Sequence, residues 1–198
     1  MRTIETNLYK FNELSEEAKE TARDCWKSNG LEEHECECIT EDFQYHLEEL
    51  GLPKDDIRWR LSCSQGDGVA FYGDVDVEEY LTKNKIKTKF KKLFDKDGDL
   101  LISNVNIYSN SNHYNHYNTM SLTYNEELHG GYDNPSRQNA IYEFTDHLLA
   151  HIKEVSKDFE TKGEEQIDYY ASNEYVDEMI IANEYEFTED GDLSWVSI

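Results

Sequence analysis

The chain is poor in the residues that build membrane spans, disulfide frameworks and hinges. Among its 198 residues there are two prolines, four cysteines and ten glycines. No apolar stretch nears the roughly 20 residues needed to cross a bilayer, and the opening, Met1 to Thr6, lacks the apolar run of a secretory signal. A soluble, cytoplasmic protein is expected, with Cys25, Cys36, Cys38 and Cys63 kept as reduced thiols. Two prolines, no internal repeat and no low-complexity linker lead to the expectation of a single domain over residues 1–198.

Positive charge is scarcer still: 19 Lys+Arg stand against 43 Asp+Glu, a net charge of −24. Aromatic residues nevertheless make up 13%, with 14 Tyr, 8 Phe and 3 Trp, which separates the chain from disordered acidic tails. A compact domain of this length has a radius of gyration of about 16 Å and spans roughly 40 Å, and duplex DNA of that length carries on the order of 24 phosphates. The charge thus serves either solubility or a surface that resembles DNA. Either way it argues against nucleic acid or anionic membrane bound through most of the surface.

Catalytic signatures are also missing. There is no Gly-x-Ser-x-Gly elbow, no phosphate-binding Gly-x-x-x-x-Gly-Lys run and no dinucleotide fingerprint. Asp95-Lys-Asp-Gly-Asp99 fails as a calcium loop, because the sixth position, where glycine belongs, is Leu100 and the twelfth, where glutamate belongs, is Asn106. His34-Glu-Cys36-Glu-Cys38, His113 with His116, and His147 with His151 put metal-ligand types close together without a complete set. Neither a cofactor nor a metal is expected.

What is present is amphipathic periodicity. Ile4, Leu8 and Phe11 read as a strand; Ser15 is placed to cap a helix that turns Leu14, Ala18, Ala22, Cys25 and Trp26 inward and ends at Asn29-Gly30. A second helix is expected from about Thr40 to Leu50, with Phe43, Leu47 and Leu50 inward and Gly51 and Pro53 as stops. From Ile57 the period changes to two: Ile57, Trp59, Leu61 and Cys63, then Val69 and Phe71 beyond a glycine-bearing loop, predict a β-hairpin. Asp74 to about Phe94 reads as helix, in one or two pieces. Leu101, Ser103, Val105 and Ile107 read as a strand whose partner carries Met120, Leu122 and Tyr124. Asn134-Pro135 opens the clearest helical stripe, Ile141, Phe144, Leu148, Ile152, Val155 and Phe159. After Lys162-Gly163 a further helix is expected to bury Ile167, Ala171, Tyr175, Met179 and Ala182, before a closing hairpin with Tyr185, Phe187, Leu193, Trp195 and Val196. The predicted fold class is α+β, a small antiparallel sheet packed by helices, with a C-terminal pair of amphipathic helices.

Three segments are candidates for function. Gln65, Gly66, Asp67 and Gly68 combine unshielded backbone N–H groups with polar side chains able to take the edge of a base or sugar, and equally suit a plain turn. Near the C-terminus Glu164, Glu165, Asp168, Tyr169, Glu174, Asp177 and Glu178 interleave acids with tyrosine, a composition suited to a protein interface, unless the core absorbs the rings. Residues 83–92 hold six lysines and no acid, so the remainder carries 13 cations against 43 acids, or −30. That run could meet an anionic partner or fold back on its own carboxylates.

The opening Leu8-Tyr-Lys-Phe-Asn-Glu-Leu-Ser-Glu-Glu-Ala-Lys19 through Trp26, the hairpin Ser64-Gln-Gly-Asp-Gly-Val-Ala-Phe71 and the closing Ala182-Asn-Glu-Tyr-Glu-Phe-Thr-Glu-Asp-Gly191 together resemble a family of small acidic proteins found in bacteriophages and prophages. The lysine run and the Asn/His/Tyr-rich segment from Ser109 to Asn118 depart from that pattern. The resemblance implies a viral accessory context and transfers no catalytic residue. With the charge, it leads to the expectation of an acidic binding protein that inhibits a host defence or nucleic-acid-processing protein, its partner being a basic host protein. The alternatives are a protein that captures or hydrolyses a small nucleotide through the Gln65–Gly68 loop, and an antitoxin-like partner of a toxin.

Overall fold

Hydrophobic periodicity and antiparallel pairing give the α+β fold that the sequence predicts. The computed structural model describes residues 7–62, 64–111, 113–124 and 135–194. Among them are five α-helices and two antiparallel sheets, of two and four strands. The chain divides into two compact units: the segments ending at Glu37 and starting at Glu165 form a terminal unit, and Cys38–Glu164 form a central unit.

In the terminal unit a short strand β1 (Tyr9–Lys10) leads through one 3₁₀ turn (Phe11–Glu13) to helix α1 (Glu16–Ser28). Ser15 caps α1 as predicted, its Oγ accepting the Ala18 N–H at 3.2 Å. Helix α5 (Asn173–Ala182) and strand β6 (Glu186–Phe187) complete the unit, and β6 pairs antiparallel with β1 through Tyr9↔Phe187. The core gathers Phe11, Leu14, Ala18, Ala22, Val176, Ile180 and Phe187. Two expectations fail here. Cys25 is exposed, because the α1 stripe follows the i, i+4 row Leu14–Ala18–Ala22–Trp26 and Cys25 lies beside it. The initial strand is shorter than expected, since Phe11 already turns into the core; Ile4 lies outside the described residues. The closing hairpin is present as the bridge Phe187↔Leu193, while Trp195 and Val196 lie outside the described residues.

The central unit contains most of helix α2 (Glu33–Leu50), strands β2 (Asp56–Arg60) and β3 (Gly68–Asp76), helix α3 (Val77–Lys83), strands β4 (Asn104–Ser109) and β5 (Met120–Tyr124), and most of helix α4 (Pro135–Tyr170). The sheet order is β2-β3-β4-β5. Ile57 pairs with Phe71, Trp59 with Val69, and Ile107 with Leu122, the same-face pairs that the alternation predicts. Leu61 already belongs to the connecting loop, and Cys63 lies outside the described residues. The predicted stripe of α4 is buried from Phe144 through Leu148, Ile152, Val155 and Phe159. Phe159 stacks on Phe43 with ring centroids 4.6 Å apart and tilts against Phe71 at 6.4 Å.

Several boundaries differ from expectation for identifiable reasons. Helix α2 begins at Glu33 rather than Thr40, because Glu35 reaches back to accept the Glu32 N–H at 2.7 Å and so closes the first turn without a Ser or Thr cap. Leu50 is only half-buried, and Leu52, beyond Gly51, takes the inward place. The stretch from Asp74 to Phe94 is mostly not helix. Its first three residues extend β3 through pairs such as Val75↔Val105, and α3 stops at Lys83, where Ile86 N–H bonds Leu81 O and Lys85 N–H bonds Thr82 O around a left-handed Lys85. That terminating motif normally uses glycine, so a lysine at this position carries no local signal for it. Leu101 and Ser103 precede β4 rather than belonging to it.

The largest correction is that α4 runs unbroken through Lys162-Gly163. Gly163 is there for close approach: a Cβ on it would stand 2.4 Å from Leu61 Cδ1 and 3.1 Å from Phe43 Cζ. The break falls instead at Ala171-Ser172, and Ser172 caps α5, accepting the Tyr175 N–H. That shift turns Val176 and Ile180 inward in place of Tyr175, Met179 and Ala182. Pro135 is the first residue of α4 as expected, and Asn134 lies outside the described residues.

Gly163→Val should lower stability. Overpacking of this kind costs about 1–3 kcal/mol, and the gain in helix propensity over glycine is only a few tenths of that order. Urea denaturation should show a lower midpoint at unchanged slope.

Candidate functional site

Negative charge is unevenly divided. The terminal unit carries five Lys+Arg and 20 Asp+Glu in 71 residues, a net −15; the central unit carries 14 and 23 in 127 residues, a net −9. From Gly163 onward there are eleven acids and no Lys or Arg. Of the predicted surface residues, Glu164, the last residue of the central unit, is exposed, as are Glu165, Asp168, Glu174 and Glu178 in the terminal unit. Tyr169 is 55% exposed and sits with Tyr170 and Tyr175, ring centroids 5.7 and 5.4 Å away.

Asp177 does different work. Arg23 grips both of its oxygens, Nε at 2.6 Å and Nη2 at 2.7 Å, and a third guanidinium nitrogen reaches Glu20 at 3.0 Å. The hydrogen bonds to Asp177 hold the Arg23 guanidinium well above its ordinary pKa. The half-buried Tyr175 is likewise engaged within the unit: burial, with a hydrogen bond to Glu35, pushes its hydroxyl pKa well up. Glu35 is buried, and periodicity could not single it out among 43 acids. The same unit holds a groove of about 280 Å³ lined by Lys10, Phe11, Ile180, Ile181 and Tyr185, among others, where Ile181 is 46% exposed. Sequence reasoning missed it because the register of α5 was set one helix break too early.

The Gln65–Gly68 loop is built as a self-contained turn. Asp67 accepts from Ser62 Oγ at 2.6 Å, from the Ser64 N–H at 3.0 Å and from the Ser62 N–H at 3.1 Å, with Arg60 3.6 Å away. These bonds, the Ser62 hydroxyl foremost, hold its pKa below the usual carboxylate range. Gly66 lies at φ +89° with the Tyr114 ring where a side chain would be. Gln65 is exposed. Of the four predicted residues, then, Asp67 and Gly66 are engaged within the protein and Gln65 faces outward.

Gly68 brings together two groups not predicted to act with this loop. A Cβ there would stand 2.5 Å from Glu160 Oε1 and 2.6 Å from His116 Cβ. Glu160 projects from α4, one turn after Ser156, whose hydroxyl donates to the Val69 carbonyl. The Val69 N–H bonds the Glu160 carboxylate, while Oε1 is buried with no hydrogen-bond partner. Burial raises the Glu160 pKa, outweighing the Val69 bond and the nearby His116.

The lysine run is split in its use. Lys83 pairs with Glu79 at 2.7 Å and Lys87 with Glu78 at 3.0 Å, whereas Lys85, Lys89, Lys91 and Lys92 have no ion-pair partner among the described residues. Opposite, on α4, His147 and His151 lie parallel with centroids 6.4 Å apart. Tyr80 hydrogen-bonds His151 Nδ1 at 2.7 Å, and Lys89 Nζ donates to His147 Nδ1 at 3.3 Å. Burial lowers the pKa of both histidines and raises that of Tyr80, which favours a neutral imidazole hydrogen-bonded to a protonated tyrosine. Among the described residues no group of three or more His, Cys, Asp and Glu is gathered that could hold a metal ion.

Residues 36–173 match the family model described as Domain of unknown function (DUF8835). The chain belongs to that family. The DUF8835 match contains the whole central unit and ends at the first residue of α5. No curated protein and no solved structure matches the chain.

In this DUF8835 member, Glu160 gives a pH signature with a definite sign. Its folded-state pKa is raised above the ordinary 4.5, so ionising it opposes folding: its contribution is fully present below about pH 4.5 and is lost as pH rises through the folded value. Glu160→Gln should therefore match the wild type in stability at pH 4 and gain on it progressively toward pH 7 in urea titrations. A difference that does not vary with pH would remove the buried, proton-retaining carboxyl.

Proposed function

We propose that this protein is an acidic binding protein of viral accessory type that inhibits a basic host protein, one acting in defence or on nucleic acid, by occupying its cationic surface. The observation that carries the reading is the concentration of charge in the terminal unit, −15 in 71 residues, with an arginine- and lysine-free stretch from Gly163 onward. Exposed Glu165, Asp168, Glu174 and Glu178 supply the charge that steers a cationic partner, and Tyr169 supplies rigid contact area beside it. The groove beside Ile181 offers the apolar anchor that charge alone does not provide, since surface charge sets association rate and partner choice more than residence time. Asp177 is excluded from the partner-facing set because Arg23 already neutralises it.

The test is competition. The purified protein should displace a labelled DNA duplex from a host nuclease or repressor retained from lysate at low salt, with affinity falling steeply between 0.05 and 0.5 M salt. Replacing Glu165, Asp168, Glu174 and Glu178 together by Gln or Asn should weaken that complex at least tenfold, while Asp177→Asn should lower the stability of the terminal unit instead. Retention unaffected by salt or by the four-fold variant would overturn the reading.

A further inference from the structure

The lysine run belongs to no part of that reading. We propose that the Lys89–Lys92 segment, together with the facing surface of α4, forms a binding site for a phosphoryl group carried by a small ligand. The argument begins with how the segment is held. After α3, the terminating turn at Lys85 redirects the chain into irregular structure, anchored by Phe90 and Leu93, which are buried, so that Lys85, Lys87, Lys89, Lys91 and Lys92 are all exposed. Phe90 locks the segment to α4 through Phe144, centroids 5.5 Å apart, and His147, 5.0 Å.

Pairing comes next. In a chain with 43 acids and 19 cations, three neighbouring lysines with no carboxylate partner among the described residues are a local concentration of unpaired positive charge. Lys83 and Lys87 take the nearby Glu79 and Glu78, but Lys89, Lys91 and Lys92 converge instead on a cavity of about 70 Å³ whose other lining residues are Phe90, Leu93, Ala140 and Glu143. Three lysines against one carboxylate leave that cavity positive. Its size is decisive for ligand class. It has room for a few waters, and so for one phosphoryl head, while a nucleobase would remain outside. A long polyanion is disfavoured, because the rest of the molecule carries −30.

His147 reports on the site. It accepts from Lys89 at 3.3 Å, and burial, then Lys89, then His151 lower its pKa. Groups facing the pair are Lys89 at His147 and, at His151, the Tyr80 hydroxyl and the Glu154 carboxylate. An anion seated on Lys89, Lys91 and Lys92 would cancel the Lys89 charge and let the His147 pKa rise.

The experiment uses the full chain, with inorganic phosphate, pyrophosphate and ADP as separate probes at matched ionic strength against chloride. Calorimetry should show binding, with ADP and pyrophosphate of similar affinity, since only the phosphoryl head enters the cavity. Proton NMR should show His147 titrating at higher pH in the bound form. The Lys91→Ala/Lys92→Ala double variant should bind at least tenfold more weakly, and the Lys83→Ala/Lys87→Ala double variant within twofold of wild type. Tighter binding of ADP than of pyrophosphate by more than tenfold would move recognition to the base and overturn the proposal. So would no binding by any probe, equal binding by both double variants, binding of an oligonucleotide or acidic peptide alone, or an unmoved His147 titration. Because binding is read on the wild type as well, a variant that failed to fold would still leave the proposal decided.

Discussion

The seating of α4 on the first half of β3 is the contact on which the central unit depends. Phe159 joins Phe43 of α2 to Phe71 of β3 in one aromatic stack, and one turn earlier the Ser156 hydroxyl bonds the Val69 carbonyl. Glu160, the next residue of the helix after Phe159, is drawn against Gly68 by the same register. Two consequences follow from that single packing. A glycine is required at 163 so that Phe43 and Leu61 can close on the helix, and a carboxyl is left half-buried with one oxygen unpartnered.

Charge acts at a different level. A net charge of −24 opposes compaction everywhere, and both units answer with local pairs rather than a global balance. The Arg23–Asp177 pair in the terminal unit ties α1 to α5. In the central unit Lys54 with Glu48 and Arg58 with Asp56 are solvent-facing pairs, of which each contributes little. Among the described residues Lys85, Lys89, Lys91 and Lys92 form a cluster of cations without an ion pair, so the two features with functional potential are opposite in sign and belong to separate units.

The candidate residues divide in the same manner. Exposed Glu165, Asp168, Glu174 and Glu178 were legible in the sequence because a tract without cations must face water. That Asp177, in the same tract, is an internal ligand of Arg23 was not, since Arg23 is 154 residues away. The Gln65–Gly68 loop was legible as a turn, and its composition pointed equally to a ligand. The inward use of Asp67 depends on backbone angles that composition does not reveal.

By itself the sequence determined the α+β class, the cap at Ser15, the same-face pairing of β2 with β3 and of β4 with β5, and the buried stripe of α4. Each is written in a period of two or of 3.6, or in a cap within four residues. Only the tertiary structure decided that α4 continues past Gly163, that α3 is short, and that Glu160 stands beside His116 and the lysines beside a histidine pair. The reason is physical: local pattern specifies which face turns inward, but a glycine permits both a helix end and a close contact. Which of the two occurs is set by the residue that arrives from elsewhere in the chain to fill the space.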